Sequence, residues 1–171
     1  MIMQTHENFM RLALAEAKTA LDEGEFPVGC VLVSDNRVLA KARRKNSSGE
    51  NANEIDHAEV SALRQLLQSA PGTDCRGITL YSTMEPCLMC YATMLLSGVH
   101  KFVWAYEDVM GGGTNIPLKQ LNELYAEIKV QLIPNILRNE SLALFQEFFR
   151  RYTYWQDSPL ARYTLEQNLK R

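Results

Sequence analysis

Apolar positions near the start of the chain recur at helical spacing. Phe9, Leu12, Ala13, Ala17, Ala20 and Leu21 share one stripe, and Gly24 stands where a helix C-cap belongs. The period then changes. Residues 28–33 are an apolar, largely β-branched run, Ser34-Asp35-Asn36 supplies turn chemistry, and residues 38–42 follow as a second strand, so the pair reads as an antiparallel hairpin. Residues 43–56 are polar, centred on Asn46-Ser47-Ser48-Gly49, and predict a loop. A helix is expected over 57–68, stopped near Ala70-Pro71-Gly72, then a strand over 78–82, a helix over 87–96 and a strand over 101–105.

Gly111-Gly112-Gly113 opens what reads as a mobile loop, followed by a short helix over 118–124 and a fifth strand over 127–133. A strand–helix–strand connection makes the last two strands parallel. Beyond about residue 138 comes a helical extension: an amphipathic, aromatic-rich stretch over 141–155, and a helix from Pro159 to about Lys170. The 171 residues, with 46% hydrophobic and 22% charged positions, fit one α/β domain spanning 1–171. No apolar run is long enough for a membrane span, and the N-terminus lacks the basic and apolar regions of a signal peptide, so no membrane partner is expected.

The chemistry concentrates in two short motifs, His57-Ala58-Glu59 and Pro86-Cys87-Leu88-Met89-Cys90. They supply one imidazole, two thiols and one carboxylate. A catalytic zinc keeps three protein ligands and leaves its fourth position for water, which His57, Cys87 and Cys90 would satisfy. Cys87 and Cys90 stand at i and i+3, on one face of a helix. Pro86 suits helix entry, where its missing N–H costs nothing. Glu59 is then free to move protons. A structural zinc ribbon would need a fourth strong ligand, for which the remaining candidates are poor. Four cysteines, two of them in this Cys-x-x-Cys, read as metal ligands in a reducing compartment, with cytoplasm as the default. Cys30 continues an apolar strand and is expected in the core, whereas Cys75 is expected on a loop. Met84, Met89 and Met94 are expected in packing, and His6 facing solvent.

The paired motifs H-x-E and P-C-x-x-C resemble the cytidine/deoxycytidylate deaminase-like superfamily of zinc hydrolases, and its branch of tRNA adenosine, guanine and cytosine deaminases. Residues 24–33 resemble the family's first strand, 57–64 its first zinc helix and 79–87 the strand that delivers the cysteines; the likeness covers roughly residues 6–134. The resemblance implies a three-layer α/β/α fold with a mixed five-stranded sheet, a Zn²⁺ cofactor and a homodimer. It also implies hydrolytic conversion of an amino-substituted purine or pyrimidine to its carbonyl form with release of ammonia. Glu59 would shuttle the protons, and backbone groups of Ala58 and around Glu85 would hold the reacting atoms. Phe26, Asn46 and Trp104 are candidates for the pocket wall.

Substrate choice is less sharply written. The tRNA adenosine deaminases carry a Gly-x-Asn-Arg pattern at the end of the second strand, whose Asn helps hold the nucleoside; here the stretch is Ala42-Arg43-Arg44-Lys45, with Arg44 at the Asn position. Ile55-Asp56 before the His, and Tyr91-Ala92-Thr93 after the cysteines, also depart from the usual pattern. Formal net charge is −2, although Lys41, Arg43, Arg44, Lys45 and the tail residues Arg150, Arg151, Arg162, Lys170 and Arg171 form basic clusters. The tail aromatics Tyr152, Tyr154, Trp155 and Tyr163 are expected to bury against the sheet, with base stacking as the alternative. A free base, nucleoside or nucleotide is therefore the preferred substrate. The open alternatives are adenosine in tRNA and, from another class, a non-catalytic zinc-containing nucleic-acid-binding or assembly subunit.

Overall fold

The computed structural model describes residues 2–168 of the chain. Five strands, β1 (Gly29–Ser34), β2 (Arg37–Arg43), β3 (Thr79–Met84), β4 (Lys101–Tyr106) and β5 (Gln131–Ile133), form one sheet in the order β2-β1-β3-β4-β5. β1 runs antiparallel to both β2 and β3, while β3, β4 and β5 are parallel. Asp35 and Asn36, both at positive φ (49° and 58°), close the β1–β2 hairpin in two residues, as the turn chemistry predicts.

Side-chain alternation along the central strands decides the layering. Cys30 and Leu32 of β1 and Phe102 and Trp104 of β4 join a cluster with Ala62, Leu63 and Leu66 of α2 (Ala58–Ser69) and Met94 of α3 (Leu88–Leu96). Val31, Val33, Val103 and Ala105, one residue out of phase, pack with Met10 and Ala13 of α1 (Ile2–Asp22). The sheet therefore lies between α1 on one face and α2 with α3 on the other. α1 comes close because its contact stripe is small: a Cβ on Gly29 would fall 2.1 Å from the Ala13 carbonyl oxygen, so only glycine fits there.

After β4 the chain departs from expectation. Instead of a helix over 118–124, a 3₁₀ turn at Leu118–Gln120 is followed by α4 (Glu123–Ala126), with Asn122 in extended conformation at its N-cap position. The fifth strand is only three residues, against the expected 127–133; it is an edge strand, and its ladder needs only to match Lys101–Val103 of β4. α5 (Arg138–Arg151) packs beside α1 and buries Leu142, Phe145, Phe148 and Phe149. α6 (Pro159–Glu166) starts at Pro159 as expected, and Ser158 caps it by accepting from the Ala161 amide. The expected end of that helix, Lys170, lies outside the described residues; within them the helix closes at Glu166. His6 is buried rather than solvent-facing, its Nδ1 2.8 Å from the Tyr81 hydroxyl, and Cys75 lies in the connection between α2 and β3, where it opens a 3₁₀ turn and is buried. Among the described residues no helix is long and apolar enough to cross a membrane.

Candidate active site

Two helix N-termini converge at the C-terminal end of β3. His57 is the N-cap residue of α2 and Cys87 that of α3, with Cys90 in the first turn of α3. Their ligand-type atoms all lie within 4.8 Å of one another, and His57 Nδ1 is 3.5 Å from Cys87 Sγ and 3.4 Å from Cys90 Sγ. A tetrahedral zinc with Zn–N near 2.05 Å and Zn–S near 2.3 Å separates N from S by about 3.6 Å. The group therefore fits zinc in donor type, number and spacing. The neighbouring Cys90 and His57 side chains draw the Cys87 thiol down to about 4 against the push of burial, which favours a metal-binding thiolate.

Glu59, in the first turn of α2, is 3% exposed and close to this group. Its Oε1 accepts a 3.1 Å hydrogen bond from Ser82 Oγ on β3, and its Oε2 lies 3.5 Å from Cys90 Sγ. Burial raises its pKa above the ordinary carboxylate value; His57 opposes that and Cys87 adds to it. The carboxyl is thus held to one side of the ligand group and poised to carry a proton nearer neutrality than a solvated Glu.

A cavity of about 120 Å³ opens beside these residues, with Phe26, Ala58, Glu59, Glu85 and Cys87 among its walls. Phe26, Ala58 and Glu85 were expected there from the sequence. Asn46 and Trp104 were expected too, and neither lines it. Asn46 sits at φ 56° and gives its amide to Asp56 Oδ2 at 2.6 Å, closing the 43–56 loop upon itself. Trp104 points into the core between β4 and the α2–α3 layer, 6% exposed. The Glu85 carboxylate accepts from the Thr114 hydroxyl and, at 3.3 Å, from the Asp108 amide, so it braces the following loop.

That loop is bonded to the cysteine turn. Gly112 pairs with Cys87 in an isolated antiparallel bridge, and the Gly113 amide donates to the Pro86 carbonyl at 2.9 Å. The glycines let the backbone lie directly against the cysteine turn. The glycine loop thus backs Cys87.

The cavity wall also includes Arg44, which stands at the Asn position of the Gly-x-Asn-Arg pattern, the tail residues Tyr154 and Trp155, for which base stacking is the alternative expectation, and Glu54, which the sequence does not single out. The tail aromatics Tyr154 and Trp155 therefore form part of the pocket rather than simply burying against the sheet. Glu54 had one usable signal, since a metal-ligating His commonly has a carboxylate near its second ring nitrogen, and Glu54 Oε2 is 3.7 Å from His57 Nε2.

The sequence matches the model of the cytidine and deoxycytidylate deaminase zinc-binding region over residues 3–106. It is 33% identical to a tRNA-specific adenosine deaminase of Aquifex aeolicus, covering 85% of this chain and 94% of the relative. It is 31% identical to one from Bacillus subtilis, covering 86% and 91%. A structure from studies of A-to-I editing by tRNA:A34 deaminases superimposes with a TM-score of 0.69 at 28% identity, covering 80% of this chain and 98% of the other. The guanine deaminase of Nitrosomonas europaea shares the fold at 20% identity, with a TM-score of 0.64 over 83% of each chain.

Proposed function

The chain belongs to the cytidine and deoxycytidylate deaminase zinc-binding family, and from that premise we propose that it hydrolyses the exocyclic amine of an uncharged purine or pyrimidine, free base or nucleoside, in the pocket beside Glu59. The observation that carries the reading is the buried Glu59 carboxylate, set between the His57–Cys87–Cys90 group and the cavity and anchored by Ser82. His57, Cys87 and Cys90 would hold Zn²⁺. Zinc bound there supplies the Lewis acidity that makes water nucleophilic near neutral pH.

The protein's own part is proton management. Glu59 takes a proton from the attacking water and gives it to the ring nitrogen next to the amine-bearing carbon. It then takes the second water proton and gives it to the amine, which departs as ammonia. The water oxygen stays on carbon as the carbonyl. Ser82 holds Oε1, so Oε2 is the atom left to exchange protons. The backbones of Ala58 and Glu85, both on the cavity wall, are proposed to hold the new oxygen and the departing nitrogen.

Electrostatics support an uncharged substrate. Glu54, Glu85 and Asp108 line the cavity, and Arg44 there is buried with its guanidinium committed to protein acceptors. Of the basic residues that could have met phosphate, Lys41 pairs with Glu16, and Arg43 with Glu16 and Glu23, all on or beside α1. Adenosine in tRNA is the second reading, favoured by the tRNA-specific adenosine deaminases among the relatives. A non-catalytic zinc subunit would have no use for a buried carboxylate at this position. We also propose a homodimer, supported by the exposed Leu88 and Leu96 on α3, and a cytoplasmic setting, supported by the free thiols.

The test is ammonia release from free bases, nucleosides, their monophosphates and tRNA, with Glu59→Ala alongside. Wild type should act on an uncharged compound in preference to its monophosphate. The variant should keep zinc and release nothing. Release from tRNA alone transfers the case to the second reading, and silence of wild type throughout favours the non-catalytic subunit.

A further inference from the structure

The polar loop ahead of α2 and the C-terminal tail, about a hundred residues apart in sequence, meet at the pocket through one cluster. Arg44 is 2% exposed; its Nη1 donates to the Lys45 carbonyl at 2.9 Å and its Nη2 to the Asn53 carbonyl at 2.5 Å and Glu54 Oε2 at 3.2 Å. A buried guanidinium needs a carboxylate partner, which holds Glu54 in place. Glu54 in turn accepts from the Tyr154 hydroxyl, 2.9 and 3.1 Å from its two oxygens.

Tyr154 is the middle of an aromatic row. Its ring centroid lies 5.6 Å from that of Phe26 and 5.7 Å from that of Trp155, and all three residues line the cavity. The row ends at the mouth, where Trp155 is 44% exposed. Trp155 has φ 55°, in the left-handed region that a bulky residue enters only at a cost. Its neighbours impose it: Tyr154 is tied to Glu54, and the Ser158 amide bonds to the Trp155 carbonyl at 3.0 Å. The half-exposed indole is thereby held at the cavity mouth, where a planar heterocycle could stack on it.

Resting on the deaminase reading, we propose that Arg44, Glu54 and Tyr154 form a bracket fixing the C-terminal tail as the outer wall of the substrate pocket, with Trp155 stacking on the substrate ring and governing which ring is accepted. Arg44 and Glu54 act through Tyr154 and are positioning residues; Trp155 is the contact.

The chain has two tryptophans, and Trp104 is buried in the core, so Trp155 can report on its own surroundings. Zinc-loaded Glu59→Ala protein is titrated with adenosine, guanine, cytosine and cytidine while indole emission is followed. At least one compound should give a saturable change that disappears in the Glu59→Ala/Trp155→Phe double variant. In active enzyme, Trp155→Ala should raise KM about tenfold, the usual scale for losing one base–aromatic stack, with kcat changing less and zinc content retained. Tyr154→Phe keeps the ring but loses the bond to Glu54, and should raise KM by a smaller factor. If wild type releases ammonia while emission and KM ignore both substitutions, the bracket is wrong and the deaminase reading stands. If no compound is turned over but one gives a Trp155-dependent change, the wall stands and the deaminase reading falls. No emission change with any compound overturns the wall.

Discussion

Gly113→Ala should damage the site although Gly113 itself does not line the cavity. A Cβ at Gly113 would lie 2.6 Å from both Cα and N of Leu88 and 2.9 Å from the Cys87 carbonyl carbon. Carbon atoms in contact sit about 3.5–4.0 Å apart, so the added methyl lacks roughly 1 Å. The obstacle is backbone and cannot rotate away. Gly113 cannot easily retreat either, because its amide is bonded to Pro86 and its neighbour Gly112 is paired with Cys87. The Cys87–Leu88 turn must absorb the shift, at the residue that opens α3 and offers a metal ligand. Displacement of about 1 Å in a catalytic arrangement costs on the order of 100-fold in rate, or about 2.7 kcal/mol. The assay is kcat/KM for ammonia release together with zinc retention against a competing chelator; both should fall. Gly77→Ala is the control, since its Cβ would meet nothing closer than Ser34 Oγ at 3.5 Å. A Gly113→Ala enzyme with kcat/KM within threefold of wild type and undiminished zinc retention would refute this reasoning.

Gly29→Ala should act on stability instead: with a Cβ 2.1 Å from the Ala13 carbonyl oxygen, α1 must lift off the sheet, at a cost of about 3 kcal/mol or more in denaturant unfolding. An unchanged midpoint would mean that α1 is not seated as described. Tyr91→Phe should be neutral or stabilising by about 1 kcal/mol, because the buried Tyr91 hydroxyl meets no hydrogen-bond partner among the described residues; a clear loss in melting temperature would reveal a partner. His6 is held below its ordinary pKa of 6.5 by burial and, secondarily, by Lys101, so the fold favours its neutral form. Its contribution is therefore present above about pH 6.5 and lost as pH falls toward the lowered folded value. Unfolding midpoints compared at about pH 8 and about pH 5.5 should differ less in His6→Gln than in wild type, and an equal difference would exclude His6.

What could be read from the sequence was what local periodicity and fixed spacing encode. The β1–β2 hairpin, the central strands and the two helices that begin at His57 and Cys87 follow from short-range pattern, and the structure brings His57, Glu59, Cys87 and Cys90 together. His6 was misplaced because the buried stripe of α1 runs through His6, Met10, Ala13 and Ala17, which leaves Leu12 43% exposed. Trp104 stands beside Ser82 on the sheet face that carries the site, and only the packing of α2 and α3 over it leaves it in the core rather than at the cavity. Asn46 was drawn elsewhere by Asp56, ten residues on in a loop with no period. The Glu54–Tyr154 contact joins residues 100 apart, and only the folded tail brings them together. The pocket's inner half is thus local in sequence, and its outer wall is tertiary.

The central claim is a three-ligand His57–Cys87–Cys90 zinc site with one place left for water. Zinc-edge X-ray absorption on the purified protein tests it most directly. A three-ligand site gives two sulfurs at about 2.3 Å and two lighter atoms at about 2.0–2.1 Å, the second light atom being exchangeable by a small anion. A shell of four sulfurs, one without sulfur, or a fourth ligand from protein that no anion displaces would contradict it.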